Sequence, residues 1–259
     1  MTPAGLERDG PLAVVTFDSP PLNLYDRGLG EALEAAIAEL ESEPPRGLLF
    51  RAKGRAVSGG VDVNLFQERV DAGGDSEQTF GDLLSVGRRV EAFPFPTVFA
   101  AHALCLTWAF ELALACDVLL AAEAAGFGLV ERRVGLTPGA GGTQRVAERA
   151  GPARARELVY TGDIFPAETL ERWNVVNRVL PDEGFDEAAL AFARGLAEGP
   201  TRAHAATKAI VRAQVEGGAR AADERVPEVA GALFATEDLR GAVRSFLERG
   251  PGHATYEGR

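Results

Sequence analysis

Two glutamates interrupt the longest largely apolar stretch of this chain, which runs from Phe95 to Arg145. Glu111 lies inside the run TWAFELALAC, and Glu131 ends the run GFGLVE. A carboxylate surrounded by Ala, Leu and Phe costs free energy unless it is paired or has a chemical function. The rest of the fold must therefore bury this stretch and still accommodate two acidic side chains.

The spacing of the glutamates indicates that the chain folds back between them. Twenty residues separate Glu111 from Glu131, which would be about 30 Å along one continuous helix. The run TWAFELALAC predicts a buried helix that breaks at Cys116-Asp117, and VLLAA predicts a strand after it. The two carboxylates could then flank one small volume, where their surroundings would push their pKa values apart. That arrangement is typical of an acid/base pair.

Each glutamate also has a purely structural interpretation. Glu131 precedes Arg132 and Arg133, so it could belong to an ordinary surface ion pair. Glu111 could be a single acidic residue at the start of an apolar helix. The residues alone leave both alternatives open beside the acid/base pair.

Strands and helices alternate through most of the chain. Residues 12–17 and 47–52 predict strands, and the helix predicted between them has Asp26 as its N-cap and ends at Pro44-Pro45. A strand–helix–strand unit of this kind favours parallel pairing of its strands. The sequence therefore predicts an α/β fold, and no internal repeat is visible in it.

The alternation stops after Pro181, where the pattern becomes helical to the end of the chain. Helices are predicted over residues 184–198, 201–216 and 223–248. We therefore predict an α/β core over residues 1–195 and a helical C-terminal region over residues 196–259. We expect residues 64–80 to form a mobile loop near a site, and we expect the tail from Arg249 onwards to be held loosely.

Composition argues against several classes of protein. The net charge of -11 argues against a nucleic-acid-binding protein, because phosphate recognition needs a basic surface. The two cysteines lie in apolar runs and the three histidines lack metal-ligand spacing, so we expect reduced core thiols and no metal site. No uncharged apolar run reaches the length of about 18 residues that a membrane span needs. The N-terminal MTPAGLERDG lacks the apolar core of a signal peptide, so a cytoplasmic protein is expected.

Two segments could present backbone N–H groups to a ligand. The run 58–62 (SGGVD) leaves a strand through two glycines, although it could equally be a plain turn with Asp62 as a helix cap. The run 107–109 (TWA) opens the helix of Glu111, so its N–H groups could stabilise an anion or a developing oxyanion. The later run 138–145 (PGAGGTQR) matches neither the dinucleotide fingerprint nor the Walker P-loop, which argues against a nucleoside-phosphate site.

Taken together, these motifs resemble the crotonase (enoyl-CoA hydratase/isomerase) family over nearly the whole chain. The family pattern E-L-A-x-x-C-D, F-G-x-x-E and G-x-x-P-G-x-G-G-T-Q-R is similar to FELALACDVLLAAEAAGFGLVERRVGLTPGAGGTQR here. The family's A-G-A-D-L oxyanion loop is similar to RAVSGGVDV, and its Asn-Ala-Leu helix entry to PPLNLYDRGLGEAL. The family's T-G-x-x-x-x-A-x-E-A segment, which ends in G-L-V-N-x-V-x-P, is similar to TGDIFPAETLERWNVVNRVLP.

The resemblance implies a crotonase-like spiral of repeated ββα units with a helical C-terminal trimerisation region, assembled as a homotrimer or hexamer. It implies an acyl-CoA substrate, with coenzyme A as part of that substrate, no separate cofactor, and neither a nucleic-acid nor a membrane partner. The backbone N–H groups of Val61 and Trp108 would hold the thioester oxygen, and Glu111 and Glu131 would activate the water. The residues implied to line the CoA moiety are Ser58, Gly59, Gly60, Asp62, Val63 and Asn64.

One segment departs from the family pattern. The family usually carries N-G-x-A-x-G-G-G before the first glutamate, whereas residues 102–109 read HALCLTWA and keep none of the glycines. The Trp108 N–H can still donate, but the indole could shorten the acyl pocket, block it or stack on the ligand. Val61 also stands where a small Ala is common.

The presence of both glutamates favours a hydratase-type lyase that adds water to an enoyl-CoA or removes it. In that reaction Glu131 would exchange a proton at the α-carbon and Glu111 would help to activate the water. The alternatives within the family are an enoyl-CoA isomerase or other enolate chemistry, such as hydrolysis or decarboxylation. A further alternative is a non-catalytic crotonase-fold subunit, in which the Thr-Trp-Ala replacement closes the CoA site.

Overall fold

Six strands form the main sheet of the structure, a computed structural model that describes residues 2–73 and 76–259. In spatial order they are β1 (Ala4–Asp9), β2 (Leu12–Phe17), β3 (Gly47–Ala52), β4 (Thr97–Ala101), β6 (Val118–Ala122) and β9 (Arg178–Leu180). The β1–β2 pair is antiparallel, and the other four pairs are parallel. The parallel pairing and the bounds of β2 and β3 confirm the prediction, whereas β1 was not predicted.

A second sheet contains three short strands, β5 (Cys105–Leu106), β7 (Gly126–Gly128) and β8 (Phe165–Pro166). Along the chain, β5 follows β4 and leads into helix α4 (Trp108–Ala115). In the same way, β7 follows β6 and leads into a 3-10 turn (Glu131–Val134) and then helix α5 (Gly142–Ala150). The repeating unit is therefore a strand of each sheet followed by a helix, although the sequence shows no repeat.

Successive units align through backbone hydrogen bonds between their short strands. Ser58, which follows β3, forms a parallel bridge with Cys105, and Cys105 pairs in turn with Phe127. Leu106 N–H donates to the Ser58 carbonyl at 3.1 Å, and Thr107 N–H donates to the Gly128 carbonyl at 2.9 Å. The segments that continue from these strands therefore lie side by side.

Both faces of the main sheet are buried, as is usual for a parallel sheet. One face packs against α1 (Arg27–Ser42), α3 (Ser76–Ala92) and α4. The opposite face packs against the apolar side of α8 (Phe185–Ala197). Helix α1 begins where the sequence predicted, because the Asp26 carboxylate accepts a hydrogen bond from the Leu29 N–H at 2.7 Å.

The remaining helices are α2 (Val63–Ala72), α6 (Pro152–Thr161), α7 (Ala167–Arg172), α9 (Thr201–Ala232) and α10 (Glu237–Arg249). Helix α9 is interrupted at Gly218, whose φ of 75° is not helical. The boundary predicted near residue 195 falls in the last turn of α8 and stays a prediction. In the part of the chain that the structure describes, every helix is too short or too polar to cross a membrane.

The prediction of a mobile loop over residues 64–80 was wrong for most of that segment. Helix α2 occupies its first part, and α3 begins at Ser76, while residues 74–75 lie outside the described part of the chain. The Asp62 carboxylate caps α2 by accepting the Asn64 N–H at 3.0 Å. No residue of α2 is buried, so this helix has no core-facing side.

The prediction of a loosely held C-terminal tail was also wrong. The Asp238 carboxylate, in the first turn of α10, accepts hydrogen bonds from the N–H groups of Glu257 at 2.8 Å and Gly258 at 2.9 Å. The Asp238 N–H donates to the Arg259 carbonyl at 3.0 Å. The chain end therefore folds back on the start of α10, a tertiary contact that the local sequence does not reveal.

Candidate active site

Glu111 lies in the first turn of α4 with its carboxylate against the N-terminus of α5. Its Oε1 accepts hydrogen bonds from the N–H groups of Ala140 and Gly142, both at 2.9 Å. N–H groups at a helix N-terminus stabilise negative charge. Burial raises the pKa of Glu111, and these N–H donors and the nearby Arg145 guanidinium oppose the rise. The fold thus binds this carboxylate through backbone donors.

The glycines of the GAGG run allow α5 to approach Glu111. A Cβ on Gly142 would lie 2.8 Å from Glu111 Cγ and 3.0 Å from Leu129 Cδ1, both too close for real atoms to remain in place. Gly141 has a φ of 103°, and a Cβ there would overlap the Arg145 guanidinium at 1.8 Å. The Gly-rich turn therefore holds a carboxylate of the protein itself.

Glu131 begins the 3-10 turn after β7, and its side chain is buried. Its Oε2 has no hydrogen-bond partner in the described part of the chain. Burial raises the pKa of Glu131 to about 7, and the negative charge of Glu111 contributes to the rise. The structure thus brings the two glutamates into electrostatic contact, and Glu131 can exchange a proton near neutral pH.

The alternative of a surface ion pair for Glu131 was wrong. Arg132 turns away and donates to the Thr161 carbonyl at 2.8 Å. Arg133 donates to the Gly162 carbonyl at 3.2 Å. The two neighbouring arginines therefore hold the end of α6, and the Glu131 carboxylate stays on the buried side of the turn.

Arg145 is a residue of this site that sequence reasoning missed. Its side chain is 7% exposed and forms a bidentate ion pair with Glu91 of α3, at 2.6 and 2.7 Å. It also donates to the Ala140 carbonyl at 3.1 Å, in the segment whose N–H groups hold Glu111. The arginine that ends the G-G-T-Q-R run was the available signal, but its partner lies 54 residues away on another helix.

The two backbone N–H groups predicted to hold the thioester oxygen are those of Val61 and Trp108. The Gly60 carbonyl and the Asp62 N–H both bond to Tyr25, so the Val61 N–H between them points away from Tyr25. Trp108 is the first residue of α4, where N–H groups have no acceptor within the helix. In the residues that the structure describes, neither N–H donates to another protein group. The preceding residues are in contact, since a Cβ on Gly60 would lie 3.2 Å from Thr107 Oγ1.

Known proteins that are similar to this chain identify the family to which it belongs. Residues 7–258 match the enoyl-CoA hydratase/isomerase family. The chain belongs to this family. A short-chain-enoyl-CoA hydratase of Clostridium acetobutylicum is 30% identical over 94% of each chain, and a carnitinyl-CoA dehydratase of Salmonella typhimurium is 33% identical over 82% of this chain and 80% of its own.

Solved structures of the family share the fold. An enoyl-CoA hydratase from Bacillus anthracis superposes with a TM-score of 0.89, at 25% identity, over 99% of this chain and 100% of its own. The prediction of a crotonase-like α/β fold with a helical C-terminal region is therefore confirmed, as is membership of the family.

The family glycines that this chain lacks are replaced by side chains that turn into the protein. The Trp108 indole N–H donates to Ser58 Oγ at 2.7 Å, and its ring packs against Phe17 and Tyr25 at centroid distances of 5.0 and 5.6 Å. Ser58 Oγ also accepts the Gly60 N–H at 3.0 Å and donates to the Asn23 carbonyl at 2.8 Å. The indole is therefore part of the core and is buried there.

Thr107 occupies a backbone conformation that normally requires glycine. Its φ of 48° and ψ of -119° lie in a region where a β-branched residue is strained. Its Oγ1 is buried and has no hydrogen-bond partner among the described residues. This residue stands where the family pattern has glycine, so the strained conformation reflects a backbone path that the fold requires.

The residues predicted to line the CoA moiety fall into two groups. The Ser58 hydroxyl, the Gly60 N–H that donates to it, and the Gly59 N–H, which donates to the Leu22 carbonyl at 2.8 Å, are used inside the protein. Asp62 caps α2, and Val63 and Asn64 form its first, accessible turn. The role of this segment in CoA binding stays a prediction, as do the roles of the two N–H donors and the two glutamates.

Proposed function

We propose that this chain is a hydratase-type lyase that adds water to a 2-enoyl-CoA thioester or removes it from the hydrated product. The observation that carries the proposal is the unequal pair of buried carboxylates. Glu111 is held by two backbone N–H groups, whereas Glu131 Oε2 has no partner among the described residues and the pKa of Glu131 is raised to about 7. Two carboxyl groups that differ in this way can act as one proton acceptor and one proton donor in the same reaction.

The proposed reaction uses both halves of the site. The thioester oxygen would accept hydrogen bonds from the Val61 and Trp108 N–H groups, which stabilise the negative charge of the enolate. Glu111 would accept a proton from the water as its oxygen bonds to C3, and Glu131 would donate a proton to C2. A proton passed from Glu111 to Glu131, directly or through solvent, restores the starting state. Relatives named as crotonyl-CoA hydratase and carnitinyl-CoA dehydratase support chemistry of this class.

The test is the hydration of crotonyl-CoA by the purified full-length protein, followed as loss of the enone absorbance. Turnover that disappears in Glu131→Gln but not in Glu123→Gln, an exposed glutamate, supports the proposal. Absence of turnover with short and long enoyl-CoAs contradicts it. A shift of a 3-enoyl-CoA without incorporation of water would indicate an isomerase instead. Failure of acetoacetyl-CoA at millimolar concentration to change tryptophan fluorescence would indicate a non-catalytic subunit.

We also propose that the protein assembles as a homotrimer or hexamer, as the sequence resemblance implies. The support comes from large apolar side chains that the isolated chain leaves exposed on its C-terminal helices, namely Val211, Val215, Phe234, Val243, Phe246 and Leu247. Exposed apolar surface of this kind marks interaction sites. A monomeric mass in light scattering at micromolar concentration would contradict this proposal. The cytoplasmic location and the absence of a separate cofactor stay predictions from the sequence.

A further inference from the structure

A small apolar cavity lies between Trp108 and Ala140, the residue whose N–H holds Glu111. Its volume is about 20 Å³, which is room for about one water-sized group. Trp108 and Leu112 line it from α4, on either side of the turn that carries Glu111. Ala140, whose N–H holds Glu111, also lines it. The other lining residues are Tyr25, Leu33, Leu83, Val86 and Gly87.

The position of this cavity defines where an acyl chain must go. If the thioester oxygen lies at the Val61 and Trp108 N–H groups, then C2 and C3 lie beside Glu131 and Glu111. Carbon atoms beyond C3 must continue past the Glu111 carboxylate, and the cavity is the apolar space lined by Leu112 and Ala140, the neighbours of that carboxylate in the chain and by hydrogen bond. A cavity of this size accepts about one methyl group, because a methyl group and a water molecule are similar in volume.

The Trp108 ring cannot easily move aside to enlarge the cavity. Its N–H is bonded to Ser58 Oγ, and Ser58 is itself fully buried and bonded to Asn23 and Gly60. Phe17 packs edge-on against the ring at 5.0 Å. Rotation of the indole would leave a buried N–H without a partner and would disturb this aromatic packing.

We propose that Trp108 is the residue that restricts this enzyme to short acyl chains of about four carbons. Ser58 acts as a positioning residue, because it holds the indole against the cavity. The inference rests on the proposed function in one respect, namely that an acyl-CoA binds at the glutamate pair. A glycine at position 108 would leave the space of the indole open to a longer chain.

The test compares chain lengths in the full-length protein, in two separate measurements. Calorimetry measures the binding of the saturated thioesters butyryl-, hexanoyl-, octanoyl- and decanoyl-CoA, and kinetics measures kcat/KM for the matching 2-enoyl-CoAs. We expect the eight-carbon thioester to bind at least about tenfold more weakly than the four-carbon one, because each methylene that a pocket cannot accommodate costs about that much. The same ratio is expected in kcat/KM if the chain hydrates enoyl-CoAs.

Two variants open the cavity from different walls. Trp108→Ala removes the indole, and Leu83→Ala removes a side chain of α3; each should raise the ratio of eight-carbon to four-carbon affinity by about tenfold. Ser58→Ala should shift the ratio in the same direction by less, because it only releases the ring. The matched control is Trp173→Phe, which changes a tryptophan that packs on Phe165 outside the site and should leave the ratio unchanged.

The outcomes separate this inference from the proposed reaction. Wild-type protein that binds decanoyl-CoA as tightly as butyryl-CoA overturns the inference. If Trp108→Ala does not fold, as circular dichroism would show, Leu83→Ala decides, and an unchanged ratio in it also overturns the inference. Short-chain selectivity in binding without any hydration would instead contradict the proposed reaction and leave the inference standing.

Discussion

The two halves of the candidate site depend on different kinds of chemical group, side chains in one half and the backbone in the other. The carboxylate half depends on side chains, since Glu111 and Glu131 carry the charges and Gly142 leaves the room that Glu111 needs. The oxyanion half depends on backbone N–H groups, which every residue except proline supplies. This chain keeps the family pattern in the first half and replaces the glycines with Thr107 and Trp108 in the second.

The difference shows what each half can tolerate. A backbone donor survives a new side chain if that side chain has somewhere else to lie, and the Trp108 indole lies in the core with Ser58. A carboxylate cannot be replaced in the same way, because its charge and its proton are the chemistry. Substitution should therefore cost activity in the carboxylate half, and in the oxyanion half it should mainly change stability and substrate size.

The largest expected effect is the loss of either carboxylate. Glu111→Gln and Glu131→Gln should each lower kcat for crotonyl-CoA hydration by about 10²- to 10⁴-fold, the usual contribution of general acid/base catalysis. In Glu111→Gln the side-chain amide oxygen can still accept hydrogen bonds from the N–H groups of Ala140 and Gly142. The fold should therefore persist, which circular dichroism checks. A loss of less than tenfold in both variants would contradict the assignment.

The second prediction moves a carboxylate without removing it. In Gly142→Ala the new Cβ would meet Glu111 Cγ at 2.8 Å and must displace it. A misplacement of about 1 Å lowers rates by about 10²-fold, so kcat should fall by that amount with KM less affected. The control is Gly195→Ala in α8, where a Cβ meets nothing within 4 Å and activity should not change.

The third prediction uses the raised pKa of Glu131. Because the pKa is about 7 in the folded chain against an ordinary 4.5, the folded state binds this proton more tightly. The stability that it contributes is full below about pH 4.5 and is lost as the pH rises through about 7. Allowing for solvent screening, the loss is about 2 kcal/mol in the free energy of unfolding.

Urea unfolding at about pH 5 and pH 8 measures this loss in wild type and in Glu131→Gln. Subtracting the two proteins removes the titrating groups that do not interact with Glu131 and leaves the contribution of Glu131 together with its interaction with Glu111. Equal pH dependence in both proteins would show that Glu131 titrates as an ordinary exposed carboxyl group, and the acid/base assignment would lose its electrostatic basis.

The smallest expected effect lies in the oxyanion half. Thr107→Gly removes a strained φ of 48° and a buried hydroxyl without a partner, which together cost more than the chain entropy that glycine adds. We expect the variant to be more stable by about 1 kcal/mol, measured by urea unfolding. Thr207→Gly, in the helical part of α9, is the control and should be destabilising. A loss of stability in Thr107→Gly would show that the hydroxyl or methyl group is needed.

Local patterns predicted the features that depend on neighbours in sequence. The N-cap predicted at Asp26 is present. Helix α2 and the anchored C-terminus were not predicted. The first lacks a buried face, and the second depends on Asp238 meeting residues about twenty positions later. The Arg145–Glu91 pair was missed for the same reason of distance along the chain.

The sequence by itself determined which chemical groups are available, namely two carboxylates in apolar runs, two glycine-containing turns and an indole in place of a glycine. Only the tertiary structure decided how they meet. The register of Ser58, Cys105 and Phe127 depends on backbone hydrogen bonds between units far apart in the chain, which no local pattern specifies. The direction of the Trp108 indole was decided in the same way, because its surroundings come from three separate segments of the folded core.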